Sequence, residues 1–253
     1  MTPILIALAA AAAPPHGADA QFKACTELVR TSPEKAITAA DEWRLKGGGL
    51  EARKCLGLAY SAAGRWAAAA TAFEQAAREA ETRKDRRSGD FWVQAGNGWL
   101  AAGEADKARR AFDAALAGTS AAGELRGEIH VDRARAFVAL NDFAAARADL
   151  DKALELVPAD PFAWYLSAAL ARRQNDLPRA RREIEKAVEL APGEAEVLLE
   201  GGNIAGLSGD LETARTLYAR AAKAAPDSEA GRAAQAALVA NSEPAPPAGA
   251  PRS

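Results

Sequence analysis

The chain has 253 residues, 49% of them hydrophobic and 26% charged, with 32 basic against 34 acidic residues and a formal charge of −2. A balance this close to neutral gives no overall attraction for nucleic acid or for an anionic membrane surface. Two histidines and two cysteines leave little material for a metal centre.

Residues 1–20, MTPILIALAAAAAPPHGADA, contain an uninterrupted apolar run from Ile4 to Ala13. The run is too short to span a bilayer, which takes about 20 residues. It has the length of a signal-peptide core, and Ala18-Asp19-Ala20 has the small-residue pattern of a cleavage site. Residues 1–20 are therefore expected to be a signal peptide, although no Lys or Arg precedes the run, and the mature chain is expected to start at Gln21. Its loss removes Asp19 alone among charged residues, which moves the formal charge from −2 to −1. No other segment could cross a membrane, so the mature chain is expected to be periplasmic or secreted.

Residues 21–49 read as a degenerate helix pair. Phe22, Cys25, Leu28 and Val29 share one helical face. Thr31-Ser32-Pro33-Glu34 is a turn with a cap and a proline at the first helical position. Ala36, Ile37, Ala40 and Trp43 form the next apolar stripe, which Gly47-Gly48-Gly49 ends. Cys25 and Cys55 fall on the first helices of adjacent units. In an exported chain such a pair favours a disulfide; two thiols buried in an alanine-rich core is the other reading.

From residue 50 the sequence is periodic. Pro158, Pro192 and Pro226 recur every 34 residues and close the phrases AAARADLDKALELVP, LPRARREIEKAVELAP and LETARTLYARAAKAAP. A fixed period of 20 to 50 residues marks a repeat architecture. With each proline at position 32, the units are 50–83, 89–122, 127–160, 161–194 and 195–228. Short insertions, 84–88 and 123–126, separate the earlier ones.

Position 8 is small: Gly57, Gly96, Ala134, Ala168 and Gly202. Position 20 is alanine at 69, 108, 146, 180 and 214, and position 27 is alanine at 76, 115, 153, 187 and 221. Two helices whose axes approach to roughly 8–10 Å need small side chains where they cross, and positions 8 and 20 are expected to meet there. Position 24 is large: Phe73, Phe112, Leu150, Ile184 and Tyr218. Position 15 is Gly64, Gly103, Asn141, Asn175 and Gly209, residues that take the left-handed conformation ending a helix. Asp142, Asp176 and Asp210 follow and can cap the next helix. Glu81 and Ser120 stand where the first two units lack the proline.

These columns resemble the tetratricopeptide repeat family. The resemblance implies an all-α chain, a right-handed α-solenoid of helix-turn-helix repeats. After the last proline, Asp227-Ser228-Glu229 starts a helix expected over 229–241, with Ala233, Ala237 and Leu238 covering the last repeat as a terminal cap must. Residues 242–253, SEPAPPAGAPRS, are expected to be disordered.

The sequence holds no constellation for catalysis. His16 lies in the leader, and His130 occupies position 4, a packing slot. No nucleotide-binding or hydrolase motif is present, so no enzyme activity, cofactor or metal is expected. Arg172, Arg173, Arg179, Arg181 and Arg182 cluster, but Glu183, Glu185 and Glu189 interleave with them, which reads as a solvated face rather than a nucleic-acid site.

The resemblance also implies a concave channel lined by first helices, with ligand contacts at positions 2, 5, 9 and 12. On this chain those contacts are Lys54, Val93, Asn97, Val131, Arg135, Phe162, Tyr165, Arg172, Leu199 and Asn203, with Leu58 beside Lys54. The Lys/Asn carboxylate clamp of some family members is incomplete, because Leu58 takes its second place. The function this implies is a non-enzymatic scaffold or adaptor of the cell envelope, binding a protein or peptide partner in the groove. The alternative is a structural accessory subunit of an envelope enzyme or secretion complex that uses its outer surface, including the arginine cluster.

Overall fold

The computed structural model describes residues 16–118 and 123–240. Most of the expected export signal and the whole tail at 242–253 lie outside these residues. Among the described residues there are thirteen helices and no strand, and the chain is an all-α array of helical repeats. It divides into two units, one ending at Thr119 and one starting at Ser120.

The first unit holds α1 (His16–Thr31), α2 (Pro33–Leu45), α3 (Gly49–Ala62), α4 (Trp66–Thr82), α5 (Ser88–Ala101) and α6 (Ala105–Gly118). Each helix packs on its neighbour in sequence, and α1 also lies against α3. Helix α1 starts before the expected cleavage point and runs through it. Pro33 occupies the first turn of α2, as its fixed φ favours, but the Ser32 hydroxyl makes no capping bond. A disulfide joins Cys25 of α1 to Cys55 of α3, with Cα atoms 6.3 Å apart.

The second unit holds α7 (Glu124–Ala139), α8 (Phe143–Leu156), α9 (Pro161–Arg173), α10 (Leu177–Leu190), α11 (Ala195–Leu207), α12 (Leu211–Ala224) and α13 (Glu229–Ala240). First helices also meet one another here, α7 with α9 and α9 with α11, and α13 covers α11 and α12. Residues 124–126, expected as an insertion, form the first turn of α7.

One turn geometry recurs in both units. Gly64, Gly103, Asn141, Asn175 and Gly209 all have φ between 60° and 83°. The next N–H then donates back to the carbonyl five residues earlier: Arg65 to Tyr60, Glu104 to Trp99, Asp142 to Phe137, Asp176 to Ala171 and Asp210 to Ala205, at 2.8–2.9 Å. This bond satisfies a carbonyl that the helix end would leave bare. Asp142, Asp176 and Asp210 then cap the second helices, accepting from the N–H groups of Ala145, Arg179 and Thr213. The prolines at 158, 192 and 226 lie two residues beyond α8, α10 and α12; without one, α4 continues to Thr82.

The core follows the columns, with one correction. Every alanine at positions 20 and 27 is buried, as is every large residue at position 24. Position 8, however, is small chiefly because of position 24. A Cβ on Gly57 would lie 2.6 Å from the Phe73 ring, and one on Gly96 would lie 2.5 Å from the Phe112 ring. A Cβ on Gly202 would likewise collide with Tyr218. Where position 24 is Leu150 or Ile184, position 8 is Ala134 or Ala168. The terminal helix also turns differently from expectation. Ala233 is exposed and Ala234 is buried, with Ala237 and Leu238 packed on the cluster around Tyr218.

Candidate functional site: the first-helix faces

In the second unit, three first helices carry seven of the ten expected contact residues. Helix α9 is set by its N-terminus, where Asp160 accepts from the Phe162 N–H at 2.9 Å and Pro161 fills the first turn. Phe162 and Tyr165 then stack one turn apart, with ring centroids 6.0 Å apart and planes at 25°. Phe162 is 44% exposed. Tyr165 is half-buried, and burial pushes its phenol pKa up, with the Glu200 and Glu196 carboxylates adding to the shift.

Further along α9, a pocket of about 190 Å³ opens between α7 and α9. Val138, Leu166 and Leu170 give it an apolar wall, and Arg135, Arg172 and Arg173 line it as well. Arg135 is exposed and pairs with Asp132 at 2.9 Å. Arg172 reaches towards α11, where its Nε donates to Glu200 Oε1 at 2.6 Å. Glu200 is buried, so this bond compensates a charge that would otherwise be costly. The Arg173 guanidinium lies 5.7 Å over the Phe143 ring.

The other expected residues serve packing or are partly committed. Val131 is buried with Ala153, Val157 and Ala163 and belongs to the core. This corrects its expected place in the channel, because the face of α7 at position 5 turns towards α8 and α9. Leu199 packs against the Tyr218 cluster. Asn203 accepts from the Tyr218 hydroxyl at 3.0 Å. In the first unit, the Lys54 ammonium lies 4.9 Å from the Phe22 ring centroid, while Val93 and Asn97 are half-buried on α5. A separate cleft of about 700 Å³ there runs past Cys25, Trp43 and the glycines at 47–49.

Val138, Leu166 and Leu170 were not among the residues expected from the sequence. Val138 holds position 12, the same column as Arg172, and could have been found that way. Leu166 and Leu170 sit at positions 6 and 10, outside the contact columns, and only the gap between α7 and α9 reveals them.

The arginine cluster resolves into separate roles. Arg179 bonds Glu183 at 2.7 Å and also reaches Asp151, and Arg181 pairs with Glu185 and lies near Asp210. Arg147 donates to the hydroxyl and carbonyl of buried Ser167, at 2.5 and 2.8 Å, and faces Glu183 at 3.7 Å. His130 likewise has a structural place: its Nδ1 is 2.9 Å from Asp149 Oδ1, and Arg133 holds both oxygens of that carboxylate at 2.7 Å. Burial raises the Asp149 pKa, but the bonds from Arg133 and His130 outweigh it and hold the group below its ordinary value.

The family model described as tetratricopeptide repeat matches residues 131–195 and 167–229. Among solved structures, the chain is similar to PilW, a type IV pilus biogenesis factor. The identity is 18%, the TM-score is 0.70, and 87% of this chain and 98% of that one are covered. It is similar to PilF of Pseudomonas aeruginosa at 17% identity and a TM-score of 0.65, covering 87% of this chain and 99% of that one. YrrB, a tetratricopeptide repeat protein with an unusual peptide-binding site, aligns at 18% identity and a TM-score of 0.53, over 81% and 98% of the two chains. No curated protein matches the sequence. At these identities the structural likeness speaks to fold alone. Residues 131–229, which the family model matches, are tetratricopeptide repeats.

Proposed function

We propose that this chain is a non-enzymatic scaffold of the cell envelope that holds a protein or peptide on its first-helix faces. The observation that carries the reading is the surface of the second unit formed by α7 and α9. It combines a stacked aromatic pair, exposed Phe162 and half-buried Tyr165, with an apolar pocket edged by arginines. Aromatic and arginine side chains dominate binding energy at protein interfaces, and helical-repeat proteins use such faces for partners. The envelope location rests on the apolar run and small-residue cleavage pattern of residues 1–20.

The alternative, a subunit docking through its outer arginines, draws less support. Arg179 and Arg181 are already engaged in ion pairs within the chain.

Crosslinking in intact cells followed by mass spectrometry tests the proposal. A recurring envelope partner is expected, and Tyr165→Ala or Arg135→Glu should abolish its crosslink. A crosslink that survives both changes would place the partner elsewhere on the surface.

A further inference from the structure

Helix α1 is held to the first unit by little besides its disulfide. Among the described side chains of α1, Cys25 alone is buried, while Phe22, Thr26, Leu28 and Val29 are half-buried and the rest are exposed. Its main neighbours are α2 and α3. Thr26, Arg30 and Thr31 direct their side-chain hydrogen bonds within α1 itself. The Lys54 ammonium, 4.9 Å from the Phe22 ring centroid, adds one exposed tie to α3. A segment with so few buried apolar contacts opens locally at low cost, and the cross-link from Cys25 to Cys55 is what opposes that opening.

The two sulfurs are not equally reachable. Cys25 lines the cleft of about 700 Å³ beside α1, with Ala24, Leu28 and Trp43, and Cys55 does not. Cys25 is 4% exposed and Cys55 0%, and Cys55 sits in a buried cluster with Ala40, Leu56 and Ala72. Along the cleft Lys46, Arg83 and Arg87 offset Glu42, Glu51 and Asp85, so an anion entering it meets no net negative wall. Disulfides open when a thiolate attacks one of the two sulfurs, and access decides which. Here the approach leads to Cys25.

We infer that the Cys25–Cys55 bridge is a reversible clasp, opened by a dithiol reductant that enters the cleft and attacks Cys25, and that opening it frees α1 from α3. The first thiolate of the reductant bonds to Cys25 Sγ as the Cys25–Cys55 bond breaks, and Cys55 leaves as a thiolate that takes up a proton. The second thiolate attacks the reductant's own sulfur in this mixed disulfide, and Cys25 leaves and is protonated in turn. Two electrons pass to the cysteine pair, and the reductant ends as its disulfide. Helix α1 then turns about Ser32, the one residue between it and α2, and uncovers Lys54 and Cys55 on α3. A thiol–disulfide change thus acts on a weakly held element, whether or not the scaffold reading stands.

The test uses the full oxidised chain under native conditions. Glutathione, a monothiol, is added, the reaction is quenched early in acid, and the adduct is mapped by mass spectrometry. Glutathione should be found on Cys25, with Cys55 as a free thiol. Dithiothreitol should complete the reduction about tenfold or more faster than the chain unfolds globally, since only local opening is needed. In the reduced chain, hydrogen exchange at residues 22–30 should quicken by about tenfold or more, while α5 and α6 stay protected. Oxidised glutathione should restore the slow exchange. Cys25→Ser combined with Cys55→Ser should show the fast exchange of α1 with no reductant present, while the circular dichroism of the remaining helices is kept.

Glutathione on Cys55, reduction no faster than global unfolding, α1 amides as protected after reduction as before, or loss of protection across α1 to α6 together would overturn the inference.

Discussion

Gly96 and Phe112 face each other so closely that a single methyl on Gly96 would lie 2.5 Å from the ring. Phe112 is fully buried, so the ring cannot swing away. Gly96→Ala should therefore cost about 1–3 kcal/mol, the usual range for overpacking. Adding Phe112→Leu recreates the Ala134–Leu150 pairing of the second unit. The double variant should then be more stable than the sum of the single changes predicts, by at least about 0.5 kcal/mol. Urea unfolding of the four proteins measures this coupling, and strict additivity would refute the pairing.

The turn asparagines make a complementary prediction. Asn141 and Asn175 hold φ near 60°, where a Cβ costs roughly 1–2 kcal/mol unless the side chain is suited to it. Asn175→Ala should lower stability by about 1 kcal/mol, whereas Asn175→Gly should leave it nearly unchanged. Thermal unfolding of both variants distinguishes this from a loss of side-chain contacts, which would make the glycine variant the worse of the two.

The carboxylate of Asp149 makes stability depend on pH. Its folded pKa lies below the unfolded value, held there by Arg133 and His130 against the effect of burial. Its contribution is complete above the ordinary aspartate range and is lost as pH falls through the folded value, because the unfolded chain takes up the proton first. Asp149→Asn should destabilise the chain by about 1–3 kcal/mol at pH 7. It should also flatten the decline in stability below about pH 4, where aspartates ordinarily titrate. Denaturant titrations at several acidic pH values provide the check, and an unchanged slope would exclude this carboxylate as a source of acid sensitivity.

The disulfide can be tested chemically. Denatured but unreduced chain should show no free thiol at Cys25 or Cys55. Reduction should destabilise the first unit by about 3–4 kcal/mol, as expected for a closed loop of this size. Two titratable thiols before reduction would mean that the bond does not form in the native compartment.

Much of the fold was legible because it rests on small sets of residue types with fixed backbone consequences. The glycine and asparagine turns, the capping aspartates and the terminating prolines all act locally, so their spacing alone reveals the hairpins. The candidate site was less legible. Val131 shares a column with Tyr165, yet one is buried and the other lines the surface. That difference depends on how α7 rotates against its neighbours, which no column of residues records. Leu166 and Leu170 become pocket residues only through the space left beside α7. Position 8 shows the same limit: its smallness was plain, but only contact with the ring at position 24 explains why it is glycine in three units and alanine in two.

The turn bond from position 16 to position 11 has a bearing on how the chain acquires its structure. Each hairpin closes through partners five residues apart, and the ties between helices remain short-range as well. The disulfide spans 30 residues and the Arg87–Glu51 pair spans 36. Contacts this local lower the entropy lost before native interactions begin to reward folding. A chain emerging from the ribosome can therefore complete each hairpin once about one repeat length is free. Cys25 gains its partner as soon as α3 has followed it out. Order of emergence and order of assembly coincide, and an early segment need not stay exposed while it waits for a distant one.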